Sequence, residues 1–217
     1  MRFVSSARTI AVSSASFAID SDPKYAHDRP RLLREETTAG SPLRVGHARD
    51  GATRERPGPL SFFVVLRGPL GAGKTTIARA LAEAIRAEVI SIDEILELLD
   101  WDGGSEGLFL KANVVASQRA HAYLKNRVPV VVDGNFYWES AIEDLAQRLP
   151  YPHRVFTLDV PLDVCIARDR LRPLSYGEEA TREVYEKVAR APCGIPIDGT
   201  QSVVAILEEI RSRLPTG

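Results

Sequence analysis

Five apolar residues, Phe62-Phe63-Val64-Val65-Leu66, run through Arg67 into the glycine-rich stretch Gly68-Pro69-Leu70-Gly71-Ala72-Gly73-Lys74-Thr75-Thr76. No other feature limits the fold of this chain as tightly. A short continuous apolar run bounded by turn residues suits a strand buried on both faces. Beyond the glycines, Ile77, Leu81 and Ile85 recur every four residues, so the spacing predicts a helix from about Lys74 with one face on the sheet. Glycines at 68, 71 and 73 let backbone N–H groups turn inward around phosphate oxygens, and the helix N-terminus adds a favourable dipole. Gly-x4-Gly-Lys-Thr between a buried strand and a helix is the phosphate-loop pattern. Lys74 is placed to reach the β and γ phosphates of ATP, and Thr75 to offer a hydroxyl to Mg²⁺. Pro69, Leu70, Ala72 and Thr76 complete the expected nucleotide loop.

After that loop the chain keeps alternating. Apolar runs at Val89 to Ile92, Val128 to Val132, Arg154 to Leu158 and Ile195 to Ile197 predict four further strands. Helices are expected around Leu108 to Leu124, Ser140 to Leu149, Leu162 to about Leu171 with Pro161 before its first turn, and along Val203, Leu207, Ile210 and Leu214. Five buried strands alternating with helices define an α/β fold, a parallel sheet covered on both sides. Composition changes near residue 58. Residues 1–57 hold ten basic and seven acidic residues without sustained periodicity, which predicts a mostly disordered extension ahead of a single domain over 58–217. Its first nineteen residues, with Arg2, Arg8, five serines and no acid, faintly resemble a transit peptide; a loosely selected leader or a misplaced start explains them better.

The formal net charge of −1 and 44% hydrophobic content give no global field toward nucleic acid or membrane. Two cysteines, Cys165 and Cys193, are too few for a disulfide framework, so the expected compartment is the cytoplasm. No membrane association is expected, because no apolar run approaches the length needed to span a bilayer.

A phosphate loop alone serves several chemistries. The guanine-reading Asn-Lys-x-Asp pattern is absent. The late strand Val130-Val131-Val132 ends in Asp133-Gly134, with no Glu beside the Asp to activate water for hydrolysis. An Asp-Glu pair occurs instead at Asp93-Glu94, nineteen residues after Lys74. A carboxylate emerging there, at the carboxyl edge of the sheet, can face the γ phosphate and accept a proton from a substrate hydroxyl. Asp93 is therefore the candidate base, with a helix N-cap as its competing use.

Four stretches carry a resemblance over residues 62 to 212: Gly68 to Thr76, Ser91-Ile92-Asp93-Glu94, Asp133-Gly134-Asn135, and Leu162-Asp163-Val164-Cys165-Ile166-Ala167-Arg168. The chain resembles the P-loop kinase-like family that groups shikimate, gluconate, adenylylsulfate and polynucleotide kinases with zeta-toxin-like phosphotransferases. The resemblance implies a three-layer sandwich with strand order 2-3-1-4-5, an acceptor-directed role for Asp93, and lid arginines over ATP. It also implies that Asp198 and Thr200, in Ile197-Asp198-Gly199-Thr200, lie against adenine.

Arg168 and Arg172 are four apart and share a helical face ahead of Pro173, so both can close over the transferring phosphoryl group as part of a lid near 168–180. The alternative is a solvated basic face paired with nearby acids, and Arg170 points to the other side. Asp133, Asn135 and Phe136 follow the third strand at the same sheet edge. They are candidates to bind the acceptor, Asp133 also to hold Mg²⁺ through water. Tyr137 and Trp138 equally suit packing of the next helix. The expected activity is ATP-dependent phosphoryl transfer to a hydroxyl of a small molecule, a nucleoside or, less favoured, a nucleic-acid end. The alternative is an ATP-binding switch or an ATPase without acceptor.

Overall fold

The computed structural model describes residues 61–99 and 105–215; the extension over 1–57 lies outside the described residues. The chain order is β1 (Phe63–Arg67), α1 (Lys74–Ile85), β2 (Glu88–Ser91), α2 (Ile92–Leu98), α3 (Glu106–Leu124), β3 (Val130–Gly134), α4 (Glu139–Arg148), β4 (His153–Asp159), α5 (Leu162–Arg170), α6 (Glu178–Ala189), β5 (Ile195–Asp198) and α7 (Val203–Ser212). The strands form one parallel sheet in the order β2-β3-β1-β4-β5.

Alternation along β1 explains both the apolar run and the layers. Phe63 and Val65 pack with Val130 and Val132 of β3, Phe109 and Ala112 of α3, and Ala141 and Leu145 of α4. Val64 and Leu66 face the opposite side, with Ile77 and Leu81 of α1, Phe156 and Leu158 of β4, and Ile206 and Ile210 of α7. A strand sandwiched in this way has no polar face to offer, hence five consecutive apolar residues. The register places Ser91 beside Asp133 and Asp133 beside Leu66, just before the glycine loop leaves the sheet. Ser91, Asp133 and the loop therefore share one carboxyl edge.

Two helices depart from the sequence expectation. α2 begins at Ile92, and its cap is Ser91, whose Oγ accepts from the Glu94 N–H at 3.3 Å. Asp93 sits in the first turn, free of the capping task. α6 was not expected at all. Its buried stripe consists of Thr181 and Val188, too sparse to register as a hydrophobic period, and its exposed side is laced by the i,i+4 pairs Glu178–Arg182, Glu183–Lys187 and Glu186–Arg190. The region expected as a lid thus consists of the end of α5, a connector and the start of α6.

Arg67, last in β1, is wholly buried. Its guanidinium donates to the carbonyls of Phe136 (3.1 Å), Val188 (3.0 Å) and Ala191 (2.7 Å). It thereby ties the strand that feeds the glycine loop to the segment after β3 and to the C-terminal end of α6. Arg67→Ala leaves three carbonyls without a charged donor and is expected to destabilise the domain by about 3 kcal/mol or more, read as a lowered midpoint in urea unfolding.

Candidate active site

The loop after β1 is shaped by two left-handed glycines, Gly71 at φ 76° and Gly73 at φ 93°. Gly73 is the cap of α1 and uses no side-chain bond. Alternation into the left-handed region turns successive N–H groups into one concavity, the geometry that receives phosphate oxygens. Gly71 is also sterically required, since a Cβ there would lie 2.2 Å from the Cys165 carbonyl oxygen of α5. Gly71→Ala is expected to cost about 1–3 kcal/mol from backbone strain alone and to abolish nucleotide binding by displacing the loop. Thermal unfolding with and without ATP checks both effects.

Lys74 opens α1 yet is buried, its ammonium donating to the Pro69 carbonyl at 3.0 Å and to Asn135 Oδ1 at 2.8 Å. Asn135 N and Nδ2 both donate to Asp93 Oδ1 at 3.3 Å. One amide therefore links the loop lysine to the carboxylate at the start of α2. Both donors engage Oδ1, which leaves Asp93 Oδ2 for a proton. Burial pushes the Asp93 carboxyl above its usual range, opposed by the Lys74 ammonium and the Asn135 N–H. Burial likewise lowers Lys74, opposed by Asp93 and Asp133.

Thr75 donates to Asp133 Oδ2 at 3.1 Å, and burial raises the Asp133 carboxyl against the pull of Lys74 and of the Thr75 hydroxyl. Asp133 Oδ1 is buried without a hydrogen-bond partner. A hydroxyl beside a carboxylate with an unused buried oxygen fits Mg²⁺, which keeps most of its shell as water and phosphate oxygen. The described residues contain no cluster of three His, Cys, Asp or Glu side chains that would bind a metal unaided. Thr75 and Asp133 would hold Mg²⁺ together with nucleotide.

Two cavities flank the loop. One, of about 330 Å³, is bordered by Ala72, Thr76, Arg168, Arg172, Gly199 and Gln201. Arg168 Nη1 donates to the Ala72 carbonyl at 3.3 Å and Nη2 to the Gly199 carbonyl at 3.1 Å, so its guanidinium spans the loop and the β5–α7 turn. Arg172 borders the same space, its nearest acid being Asp169 at 3.9 Å. Arg170 turns outward to Glu178 at 2.8 Å. The second cavity, of about 310 Å³, is walled by Asp93, Glu97, Asn135, Tyr137, Glu183 and Lys187 among others.

The structure thus brings together Gly71, Ala72, Gly73, Lys74, Thr75, Thr76, Asp93, Asp133, Asn135, Arg168 and Arg172 at one sheet edge. Three residues expected nearby are placed differently. Phe136 has φ 44° and is fully buried beside Phe109, so its ring packs the core instead of lining the second cavity. Asp198 accepts from the Thr200 N–H at 2.9 Å and from its hydroxyl at 2.6 Å. This pair closes the turn that presents Gly199, and it is Gly199 and Gln201 that border the cavity beside Ala72 and Arg168. Tyr137, which the sequence left open between a site role and packing of the next helix, lines the second cavity, and Glu97, Glu183 and Lys187 join it there without having been marked in the sequence. Nothing in the spacing of Glu183 and Lys187 marks them, because α6 reaches that cavity only through tertiary packing.

A parallel sheet ordered 2-3-1-4-5, with the phosphate loop after its central strand and an aspartate after the second, defines a P-loop kinase-like protein. Residues 63–191 match the family model described as an AAA domain, and the chain belongs to that family. It is 29% identical over 138 residues to a shikimate kinase of Pseudoalteromonas translucida (strain TAC 125), a match covering 58% of this chain and 76% of that protein. Its fold is similar to that of a gluconokinase from Sinorhizobium meliloti 1021 (TM-score 0.56, 19% identity, 70% of this chain and 90% of that one). It is also similar to the APS kinase of Mycobacterium tuberculosis, solved with AMPPNP and APS (TM-score 0.55, 15% identity, 71% and 97%).

Proposed function

We propose that the protein transfers the γ-phosphoryl group of ATP to a hydroxyl of a small molecule, a nucleoside or a nucleic-acid end. The observation that carries this reading is the Lys74–Asn135–Asp93 chain of hydrogen bonds, which joins the nucleotide loop to a carboxylate in the wall of a second cavity. A hydrolytic enzyme needs no second cavity with a base, whereas an acceptor does.

In the proposed reaction the acceptor hydroxyl gives its proton to Asp93 as its oxygen bonds the γ phosphorus. The bond from that phosphorus to the β–γ bridging oxygen breaks, and ADP leaves. Lys74, Arg168 and Arg172 balance the charge on the phosphoryl oxygens. Mg²⁺ at Thr75 and Asp133 would offset charge on the β and γ phosphates. Arg168 and Arg172 belong to a lid over about 168–180, within a domain over 58–217. The closing of that lid excludes water.

The two unpaired cysteines support a cytoplasmic setting, and no helix among the described residues is long and apolar enough to cross a membrane. The reading is tested by incubating the protein with ATP, Mg²⁺ and pools of hydroxyl compounds, nucleosides and 5′-hydroxyl oligonucleotides. Acceptor-dependent ADP release with a phosphorylated product supports it. ADP release at one rate with and without every pool favours the switch or ATPase instead.

A further inference from the structure

The two cavities beside the glycine loop differ in charge. The nucleotide side is bordered by Arg168 and Arg172, with no described acid in its wall. The acceptor side is bordered by three carboxylates, Asp93, Glu97 and Glu183, and by one cation, Lys187. Lys187 is already committed, since its ammonium lies 2.7 Å from Glu183 Oε1 and 5.4 Å from the centre of the Tyr137 ring. The Lys187 ammonium in turn holds the Glu183 carboxyl below its usual range, so Glu183 stays ionised. No described arginine borders this cavity. Arg172 borders the nucleotide side, with its guanidinium carbon 5.7 Å from the centre of the Tyr176 ring, which lines the acceptor side.

An anionic group in such a cavity meets like charge from Asp93 and Glu97 of α2, and finds the bordering ammonium already paired with Glu183 and no guanidinium in the wall, while an ammonium meets opposite charge from α2. We infer that the acceptor is a neutral or cationic hydroxyl compound of the polyol, amino-polyol or amino-alcohol class, and not a carboxylate or phosphate ester. This inference rests on the kinase reading. The same asymmetry gives the site its direction, because ATP is repelled from the acceptor side and attracted to the loop side.

Three six-carbon polyols with matching stereochemistry at C2 to C5, differing only at C1, separate the possibilities: gluconate (carboxylate), glucitol (alcohol) and 1-amino-1-deoxyglucitol (ammonium). Phosphorylated product is followed by phosphorus NMR and ADP release by a coupled assay. The expected order of kcat/KM is ammonium, then alcohol, then carboxylate, with about tenfold or more between the extremes. In the double variant Glu97→Gln, Glu183→Gln, which removes two surface carboxylates and releases Lys187, that ratio is expected to fall to about threefold or less.

Gluconate used as well as or better than the amino-polyol overturns the inference and leaves the kinase reading intact. A ratio unchanged in the double variant overturns it as well. Transfer to none of the three overturns it too, and ADP release that ignores every acceptor pool then removes the kinase reading with it.

Discussion

Lys74→Ala lowers kcat/KM for phosphoryl transfer on the order of 10³-fold, and it weakens ATP binding at the same time. The ammonium is the buried positive charge of the site, held by the Pro69 carbonyl and Asn135 Oδ1. It is also the main charge opposing the upward push of burial on the Asp93 and Asp133 carboxyls. Its loss acts three ways. The γ phosphate loses a donor, Asn135 loses the partner that fixes its amide, and both carboxyls become harder to ionise. The variant is therefore expected to show its acid limb of activity at higher pH than the parent. Calorimetric titration with ATP and a pH–rate profile check the two effects separately. ATP affinity and turnover both within a few-fold of the parent would remove Lys74 from the site.

Asp93→Asn gives a different pattern, a fall in kcat of about 10²- to 10⁴-fold with ATP affinity within a few-fold. The amide oxygen still accepts from Asn135, so the start of α2 keeps its place, but no group remains to take the acceptor proton. The pH dependence follows from the direction of the shift. Burial raises the folded-state carboxyl above its ordinary value, so as pH falls the base is lost earlier than an exposed aspartate would be. Activity of the parent drops through that raised value, and the Asn variant shows no such limb. Should the variant instead lose ATP affinity while kcat holds, Asp93 serves the nucleotide and not the acceptor. Unchanged turnover with an unchanged acid limb would exclude it from the mechanism.

The two substitutions differ because Lys74 and Asp93 reach the reaction from opposite sides of one hydrogen-bond chain. Asn135 stands between them with 4% of its surface exposed. The sequence suggested it as an acceptor-binding residue. Its amide is instead spent on the lysine and the aspartate, although the residue also borders the acceptor cavity. A polar residue after β3 at the sheet edge was legible; which partners its two amide atoms would find was not, since they come from α1 and α2.

What was legible in the chain follows from local physics. The phosphate loop lies between a strand and a helix with every defining residue contiguous, so local backbone conformation aims its N–H groups inward and starts α1 at Lys74. The apolar runs marked all five strands, most cleanly β1 and β3, which are buried along their whole length at the centre of the sheet, while β2, β4 and β5 bury only part of theirs. Their ends shifted by one or two residues, as at β3, which extends to Gly134. Arg168 and Arg172 were paired by helical spacing, but α5 ends at Arg170, so Arg172 lies past the helix, and it is the fold of the connector that puts both on the wall of one cavity.

The tertiary structure decided what depends on distant contacts. Phe136 reads as a site residue in a string of polar and aromatic neighbours, but a left-handed backbone turns it into the core, and Tyr137 lines the cavity in its place. α6 escapes detection because ion pairs and two buried residues hold it, without an apolar stripe. Yet that helix supplies Glu183 and Lys187 to the acceptor cavity. The sequence by itself determined the nucleotide loop, the parallel sheet and the aspartate of β2–α2, since each is written in contiguous residues with a strong local preference. Which charges border the second cavity was decided only when folding brought residues of α2 and α6 to its wall, a juxtaposition that no local spacing encodes.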